Sequence, residues 1–243
     1  MKKPLAILAL LFAGTTAFAS DFAREKRWAD EILPAILVGD PVYLEQADKH
    51  RFLALFTEAA QPKAAVIIVH GMGVHPDHGL IGTLRQQLPE AGYTTLSVQM
   101  PILKAEAKPG EYPATFDEAA ERLEKAAAFL RAKGYRKVAL VSHSMGCPMS
   151  YRYLKSRPDA PIAIWVAIGN SVVEDTRPLK MPILDLYGAY DLPAVLDNAP
   201  KRAALLKGRP ASQQRQIPGA NHFFEGKDAA LVEAVRDYLD QTL

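Results

Sequence analysis

The stretch Val138-Ala139-Leu140-Val141-Ser142-His143-Ser144-Met145-Gly146 decides the fold of this chain. It opens with a continuous apolar run, which predicts a strand buried on both faces. A sharp turn with small residues at Ser142 and Gly146 follows the strand and leads into a helix. Such a turn holds its central residue, Ser144, in a strained backbone conformation that exposes the side-chain hydroxyl.

This strand, turn and helix form the context of a nucleophile elbow, in which a serine attacks a substrate from the tip of the turn. The position two residues before Ser144 holds Ser142 instead of the more usual glycine. The alternative is that Ser144 simply caps the following helix, since serine is a favoured capping residue. A nucleophilic serine needs a base and an acid elsewhere in the chain, so the presence of these partners distinguishes the two interpretations.

Apolar runs of the same kind recur along the chain and alternate with helical patterns. The runs occupy residues 65–69, 95–98, 138–141, 162–168 and 183–187. This alternation predicts an α/β fold with a mostly parallel central sheet and helices on both faces. Two further strands, at residues 42–46 and 51–57, are predicted to form an antiparallel hairpin at one edge of the sheet.

Two helices are predicted from clear sequence patterns. Thr115 and Glu118 have the spacing of a capping box, and Gly134 is a typical terminator, so a helix is predicted over residues 115–133. Residues 228–242 carry apolar side chains at helical spacing and are predicted to pack on the sheet as the last helix.

The segment after the signal sequence, residues 20–243, is predicted to form a single domain. It contains no internal repeat and no linker rich in glycine and serine. Only residues 169–180 separate two of the predicted strands. This leaves little or no room for an inserted cap, and we expect a comparatively open site.

A carboxylate follows the predicted strand at residues 183–187. Asp191 comes after the C-terminal end of that strand, at the edge where parallel α/β sheets build their sites. Asp185 lies inside the strand, where it could not reach a histidine on a loop. Glu174 and Asp175, after the preceding strand, are alternatives to Asp191. The other interpretation of Asp191 is a turn or cap aspartate.

A histidine stands between the predicted last strand and the C-terminal helix, in Gly219-Ala220-Asn221-His222-Phe223. A loop at this place can return over the edge of the sheet. His222 is therefore predicted to be the general base for Ser144. A solvated loop histidine is the alternative.

These positions resemble the α/β-hydrolase superfamily, from the strand before His70 to the final helix. The segment His143-Ser144-Met145-Gly146 looks like the elbow of many esterases and lipases. The three predicted site residues also follow the order Ser, acid, His that this superfamily uses.

Three other segments are similar to an exported bacterial group of α/β-hydrolase-like proteins with no assigned function. They are Glu25-Lys26-Arg27-Trp28-Ala29-Asp30, Val38-Gly39-Asp40-Pro41-Val42 and His70-Gly71-Met72-Gly73-Val74-His75-Pro76-Asp77. This resemblance implies a bacterial periplasm and leaves the substrate open.

In this superfamily the loop after the first parallel strand donates a main-chain N–H to the oxyanion of the reaction. Here that loop begins with His70, and its glycines, Gly71 and Gly73, allow a close approach to the substrate. The amides of Met72 and Met145 are the predicted donors. His70 is expected to organise the loop and not to act as a catalyst.

The cluster of His70, His75, Asp77 and His78 suggests a metal site as an alternative, since imidazole and carboxylate are good ligands. Its spacing matches no metal motif with a mechanical basis, and Pro76 favours a turn-rich loop. Neither a metal nor an organic cofactor is predicted.

Residues 1–19 have the pattern of a secretory signal peptide. Lys2 and Lys3 precede an apolar run at residues 5–12, and Ala17-Phe18-Ala19 predicts cleavage before Ser20. The apolar run is too short to span a membrane. Export is therefore predicted, without stable membrane insertion.

Charge and cysteine content exclude several classes of function. Removal of Lys2 and Lys3 takes the formal net charge of +2 to about zero, and no polybasic run remains. A small-molecule substrate is expected, and a nucleic-acid partner is not. Cys147 is the single cysteine, which excludes an internal disulfide, and we expect it to be a small buried hydrophobe. The oligomeric state stays open.

Together these features predict a serine hydrolase that cleaves a carboxylic ester or a related acyl bond. Ser144, His222 and Asp191 would form its triad and pass through an acyl-enzyme. Export argues against acyl-CoA as the substrate. The alternative is a catalytically silent member of the fold that binds a ligand or a partner in the same cleft.

Overall fold

The computed structural model describes residues 20–243. The predicted signal peptide at residues 1–19 lies outside the described residues. Among residues 20–243, no helix is both long enough and apolar enough to cross a membrane.

A single sheet of eight strands forms the centre of residues 20–243. The strands are β1 (Asp40–Glu45), β2 (Arg51–Thr57), β3 (Ala64–Val69), β4 (Tyr93–Val98), β5 (Val138–His143), β6 (Ile164–Ile168), β7 (Ile183–Tyr190) and β8 (Gln213–Asn221). Their spatial order is β1-β2-β4-β3-β5-β6-β7-β8. β1 and β2 form the antiparallel hairpin at the edge, β2 pairs antiparallel with β4, and all other pairs are parallel. The predicted fold class and hairpin are confirmed.

In the described part of the chain, six α-helices lie around the sheet. They are α1 (Phe22–Ile32), α2 (Leu80–Gln87), α3 (Phe116–Ala132), α4 (Gly146–Ser156), α5 (Pro193–Leu206) and α6 (Asp228–Thr242). α3 and α4 pack on one face of the sheet, and α2 and α6 pack on the other. Because both faces are covered, alternate residues of β3 enter different cores, which explains its unbroken apolar sequence.

The capping box predicted at the start of α3 is wrong. A short 3-10 helix at Pro109–Thr115 leads directly into α3, so Thr115 already has near-helical backbone angles, with φ −95° and ψ −2°. Its hydroxyl donates to the Tyr112 carbonyl over 2.8 Å. Glu118 accepts hydrogen bonds from Arg122 and Ser20 instead of bonding back to the helix start.

The carboxyl ends of the parallel strands meet at one edge, where the predicted site residues lie. β7 continues to Tyr190, beyond its predicted end at residue 187, so that Asp191 follows the strand directly. Residues 169–182, between β6 and β7, contain no helix. No cap is built at this point, as the short connection predicts.

Candidate active site

Ser144 lies at the turn between β5 and α4. Its φ of 55° is in the left-handed region that side chains other than glycine rarely adopt. The Ser144 amide donates to the Ile168 carbonyl of β6 over 2.9 Å, which helps to hold the turn in place. The strained conformation expected of an elbow is therefore present, and it separates Ser144 from an ordinary helix cap.

Gly146 and Ser142, the small residues on either side of Ser144, have different structural roles. A Cβ on Gly146 would lie 2.6 Å from the His70 carbonyl oxygen, so only glycine lets α4 approach the loop after β3 this closely. On the other side, the Ser142 hydroxyl accepts a hydrogen bond of 2.8 Å from the indole Nε1 of Trp165. Because Trp165 is buried, a glycine in place of Ser142 would leave that indole without this partner.

His222 connects Ser144 to Asp191. The His222 Nε2 atom lies 3.0 Å from Ser144 Oγ, and its Nδ1 atom lies 2.6 Å from Asp191 Oδ1. With the imidazole proton on Nδ1, the ring donates to the carboxylate and accepts from the hydroxyl. The structure thus brings the three residues predicted from sequence into one hydrogen-bonded row. Their catalytic role stays a prediction.

Asp191 is held as a carboxylate by several donors. Burial raises its pKa, but hydrogen bonds from His222 and from the amides of Leu192 and Gly188 outweigh that effect, and the pKa lies below its ordinary value. The two amides donate over 2.8 Å and 3.2 Å. A charged acceptor is therefore available to hold the His222 ring.

The His222 ring is fixed by close packing. A Cβ on Gly169 would lie 3.0 Å from two atoms of the ring, and Gly169 has a φ of +59°. On another side, the rings of His143 and His222 lie 4.7 Å apart. The position of the ring therefore depends on a glycine at the end of β6.

Sequence reasoning missed the role of His143, the residue before Ser144. Its Nε2 atom lies 2.9 Å from the His222 main-chain carbonyl, to which it donates. Burial lowers the pKa of His143 to about 3, so the ring is neutral. Its place inside the elbow was the only sequence signal, because the chain separation from His222 hides the contact.

The loop after β3 passes directly over Ser144. A Cβ on Gly71 would lie 3.2 Å from Ser144 Cβ. His70 is fully buried, and its Nδ1 donates to the Gly71 carbonyl while its Nε2 accepts from the Met100 amide. Burial lowers the pKa of His70 to about 3, which keeps it neutral. These contacts are those of a residue that shapes the loop.

The same loop is tied down further along. Arg24 of α1 donates to the Gly73 carbonyl over 2.9 Å and to the Leu103 carbonyl over 2.7 Å. Within residues 20–243, neither the Met72 amide nor the Met145 amide donates a hydrogen bond to a protein acceptor. The hydrogens of both predicted oxyanion donors are therefore unused, and their role stays a prediction.

The alternative carboxylates have other partners. Asp185 is paired with Arg202 of α5 at 3.0 Å. Asp175 is paired with Arg177 at 2.7 Å on the exposed loop after β6. Glu174 accepts from Asn170 over 3.2 Å. Of these carboxylates and Asp191, only Asp191 lies within hydrogen-bond distance of the His222 ring.

The remaining reactive side chains are engaged elsewhere. Cys147 is fully buried in α4, and burial raises the pKa of its thiol, so it is the small hydrophobe predicted. Asp77 of the possible metal cluster accepts from the guanidinium of Arg85 over 2.7 Å. Among residues 20–243, no three histidine, cysteine or acidic side chains are arranged to hold a metal ion.

Comparison with solved structures identifies the fold. The chain is similar to Est1E from Butyrivibrio proteoclasticus, with 13% identity, a TM-score of 0.67, and 83% of this chain and 98% of that chain covered. It is also similar to a dienelactone hydrolase from Anabaena variabilis, with 20% identity, a TM-score of 0.66, and 84% and 97% covered. A third similar structure is XC6422 from Xanthomonas campestris, an α/β serine hydrolase without lid, with 16% identity, a TM-score of 0.64, and 86% and 96% covered.

Sequence comparison places the chain in a family. No curated protein is a significant match. A family model described as a protein of unknown function, DUF3530, matches residues 22–121 and 104–241. The structures similar to this chain are α/β hydrolases, as the resemblance in the sequence implied. The chain therefore belongs to the DUF3530 family, and its fold is that of the α/β hydrolases.

Proposed function

We propose that this protein is a serine hydrolase that cleaves a carboxylic ester or a related acyl bond. The observation that carries the proposal is the row of hydrogen bonds from Ser144 through His222 to Asp191, with distances of 3.0 Å and 2.6 Å. Fold neighbours named as a dienelactone hydrolase and an α/β serine hydrolase are compatible with this chemistry. Fold alone would not support it, since function depends on the site.

The first half-reaction forms an acyl-enzyme. His222 Nε2 takes the proton of Ser144 as Oγ attacks the substrate carbonyl, and Asp191 stabilises the imidazolium that results. The Met72 and Met145 amides would donate to the oxyanion of the tetrahedral intermediate. The bond from the carbonyl carbon to the alcohol oxygen then breaks, and His222 gives its proton to the departing alcohol.

The second half-reaction releases the acid. His222, neutral again, takes a proton from water as the water oxygen attacks the acyl carbonyl, and the same two amides hold the second oxyanion. Collapse of this intermediate breaks the bond to Ser144 Oγ, which recovers its proton from His222. All proton transfers use groups of this chain and the solvent, so the proposal requires no cofactor.

The proposed location is the bacterial periplasm, which is supported by the signal peptide predicted at residues 1–19 and by the family resemblance. Substrates compatible with that location are small esters, lipids and acylated envelope glycans. Acyl-CoA is not among them, because it belongs to the cytoplasm.

Hydrolysis of a panel of p-nitrophenyl esters tests the proposal. Ser144→Ala should lower kcat by about 10⁴-fold or more, as expected when a triad serine is lost. Ser156→Ala is the matched control, because Ser156 is an exposed serine at the end of α4, and it should keep the wild-type rate. A folded wild type that hydrolyses no ester but binds a ligand would favour the catalytically silent alternative.

A further inference from the structure

Exposed apolar side chains lie on the segments that carry Asp191, His222 and the loop over Ser144. Within residues 20–243, four of the exposed large hydrophobic residues lie at the end of β7 or on the loops that follow β3, β7 and β8. We call these four residues the apolar rim: Met72, Tyr190, Leu192 and Phe223, which are 39% to 75% exposed. Isolated exposed hydrophobic residues are ordinary, but a group of them around a polar site indicates a binding surface.

The apolar rim is next to the reacting groups. The Phe223 ring lies 5.1 Å from the His222 ring at an interplanar angle of 78°. Leu192 follows Asp191 directly, and Met72 follows Gly71, whose hypothetical Cβ would lie 3.2 Å from Ser144 Cβ. A substrate bound at Ser144 would therefore contact apolar side chains on more than one side.

The rim is exposed because of how the loops are built. Residues 169–182 contain no helix that could form a cap over it. The Val172 amide donates to the Asn170 side-chain oxygen over 3.0 Å, and Asn198 of α5 donates to the Ser171 carbonyl over 2.9 Å, so this connection is anchored beside α5. The connection between β6 and β7 is thus an anchored loop that adds no helix above the rim.

We infer that the apolar rim binds the acyl chain of the substrate, so that the preferred substrates are esters with an apolar acyl chain of several carbons. This inference rests on the proposed function. We assign the rim to the acyl chain of the ester, and not to its alcohol part, because Met72 belongs to the loop whose amide is proposed to hold the acyl oxyanion. A chain on this open surface gains about two- to fourfold in affinity for each methylene removed from water.

The test compares kcat/KM for p-nitrophenyl acetate, butyrate, hexanoate and octanoate, all below their micelle concentrations. We expect a rise of at least tenfold from acetate to octanoate in the wild type. The double variant Met72→Ser, Leu192→Ser should lower the octanoate-to-acetate ratio by about tenfold. Leu37→Ser is the matched control, because Leu37 is 94% exposed and lies outside the rim, and its ratio should stay at the wild-type value.

The outcomes separate this inference from the proposed function. If the wild type hydrolyses acetate but its kcat/KM does not rise with chain length, the inference is overturned while the hydrolase proposal stands. If no ester is cleaved, the hydrolase proposal itself fails. Binding to phosphatidylglycerol vesicles that the rim variant loses, with an unchanged ester ratio, would also overturn the inference and identify a lipid-surface contact.

Discussion

Asp191 and Asp185 are two buried carboxylates of the same β7 region with opposite electrostatics. They are 5% and 2% exposed. Asp191, just past the strand end, receives hydrogen bonds from His222 and two amides, and its pKa is lowered despite burial. Asp185, inside the strand, is held by Arg202 and Gln214, and burial raises its pKa.

This difference shows that burial alone does not make a carboxylate functional. The position of a carboxylate along β7 decides which groups surround it, because the end of the strand faces the site and the middle of the strand faces α5. Asp185 joins β7 to α5 through Arg202, whereas Asp191 faces a histidine that also contacts Ser144. We therefore expect substitutions at the two positions to affect different properties of the protein.

The largest expected effect is on catalysis at Asp191. Asp191→Asn should lower kcat by about 10⁴-fold with little change in stability, because an amide no longer selects the required His222 tautomer or stabilises the imidazolium. Steady-state ester hydrolysis measures the loss. If the variant keeps more than a tenth of the wild-type kcat, Asp191 is not the acid of the triad.

The second-largest expected effect is a loss of stability on substitution of Asp185. Asp185→Asn leaves the Arg202 guanidinium buried without its carboxylate, which should lower the free energy of unfolding by about 3–5 kcal/mol. Urea denaturation measures this change, and Asp175→Asn, at an exposed ion pair, serves as the control. At a temperature where the variant is folded, its kcat should stay within a few-fold of wild type. Unchanged stability with lost activity would reverse the assigned roles.

A smaller effect is expected at His143, which positions His222 through a main-chain hydrogen bond. His143→Phe removes the donor to the His222 carbonyl, and kcat should fall by about five- to tenfold at unchanged KM, the size of one hydrogen bond. His143→Gln should recover part of this loss, because its amide can donate. Equal kcat values for the phenylalanine and glutamine variants would contradict a role for that hydrogen bond.

The smallest effect is expected at Glu174. Burial raises the pKa of Glu174, so its neutral form favours the folded state. The protonated Glu174 side chain makes its full contribution to the free energy of unfolding below the unfolded-state pKa of about 4.3. This contribution is lost as the pH rises through the higher folded-state pKa.

Glu174→Gln should therefore keep wild-type kcat and be more stable than wild type at pH 7, with the difference shrinking towards pH 4. Thermal unfolding over that range measures the difference. A large loss of kcat would instead make Glu174 the partner of His222.

Local features of the site were predictable from the sequence. The elbow around Ser144 is one continuous segment whose strand, turn and glycine are all encoded side by side. Asp191 and His222 were found because the ends of parallel strands meet at one edge of the sheet. The order of elements along the chain thus carried most of the information about the site.

Features that depend on distant contacts were not predictable. Ser142 departs from the usual glycine, and its partner Trp165 is on another strand. The contact of His143 with the His222 carbonyl joins two loops far apart in the chain. Thr115 failed as a helix cap because the preceding residues continue into the helix as a 3-10 turn, which their proline-containing sequence did not reveal.

Labelling with a fluorophosphonate probe tests most directly whether Ser144 is an activated nucleophile. The probe reacts with a serine hydroxyl that has a working base, and mass spectrometry locates the adduct. We predict one adduct per wild-type molecule, on Ser144, an equal yield in Ser156→Ala, and none in Ser144→Ala. A folded wild type that stays unlabelled, or an adduct on a different residue, would contradict the proposed triad.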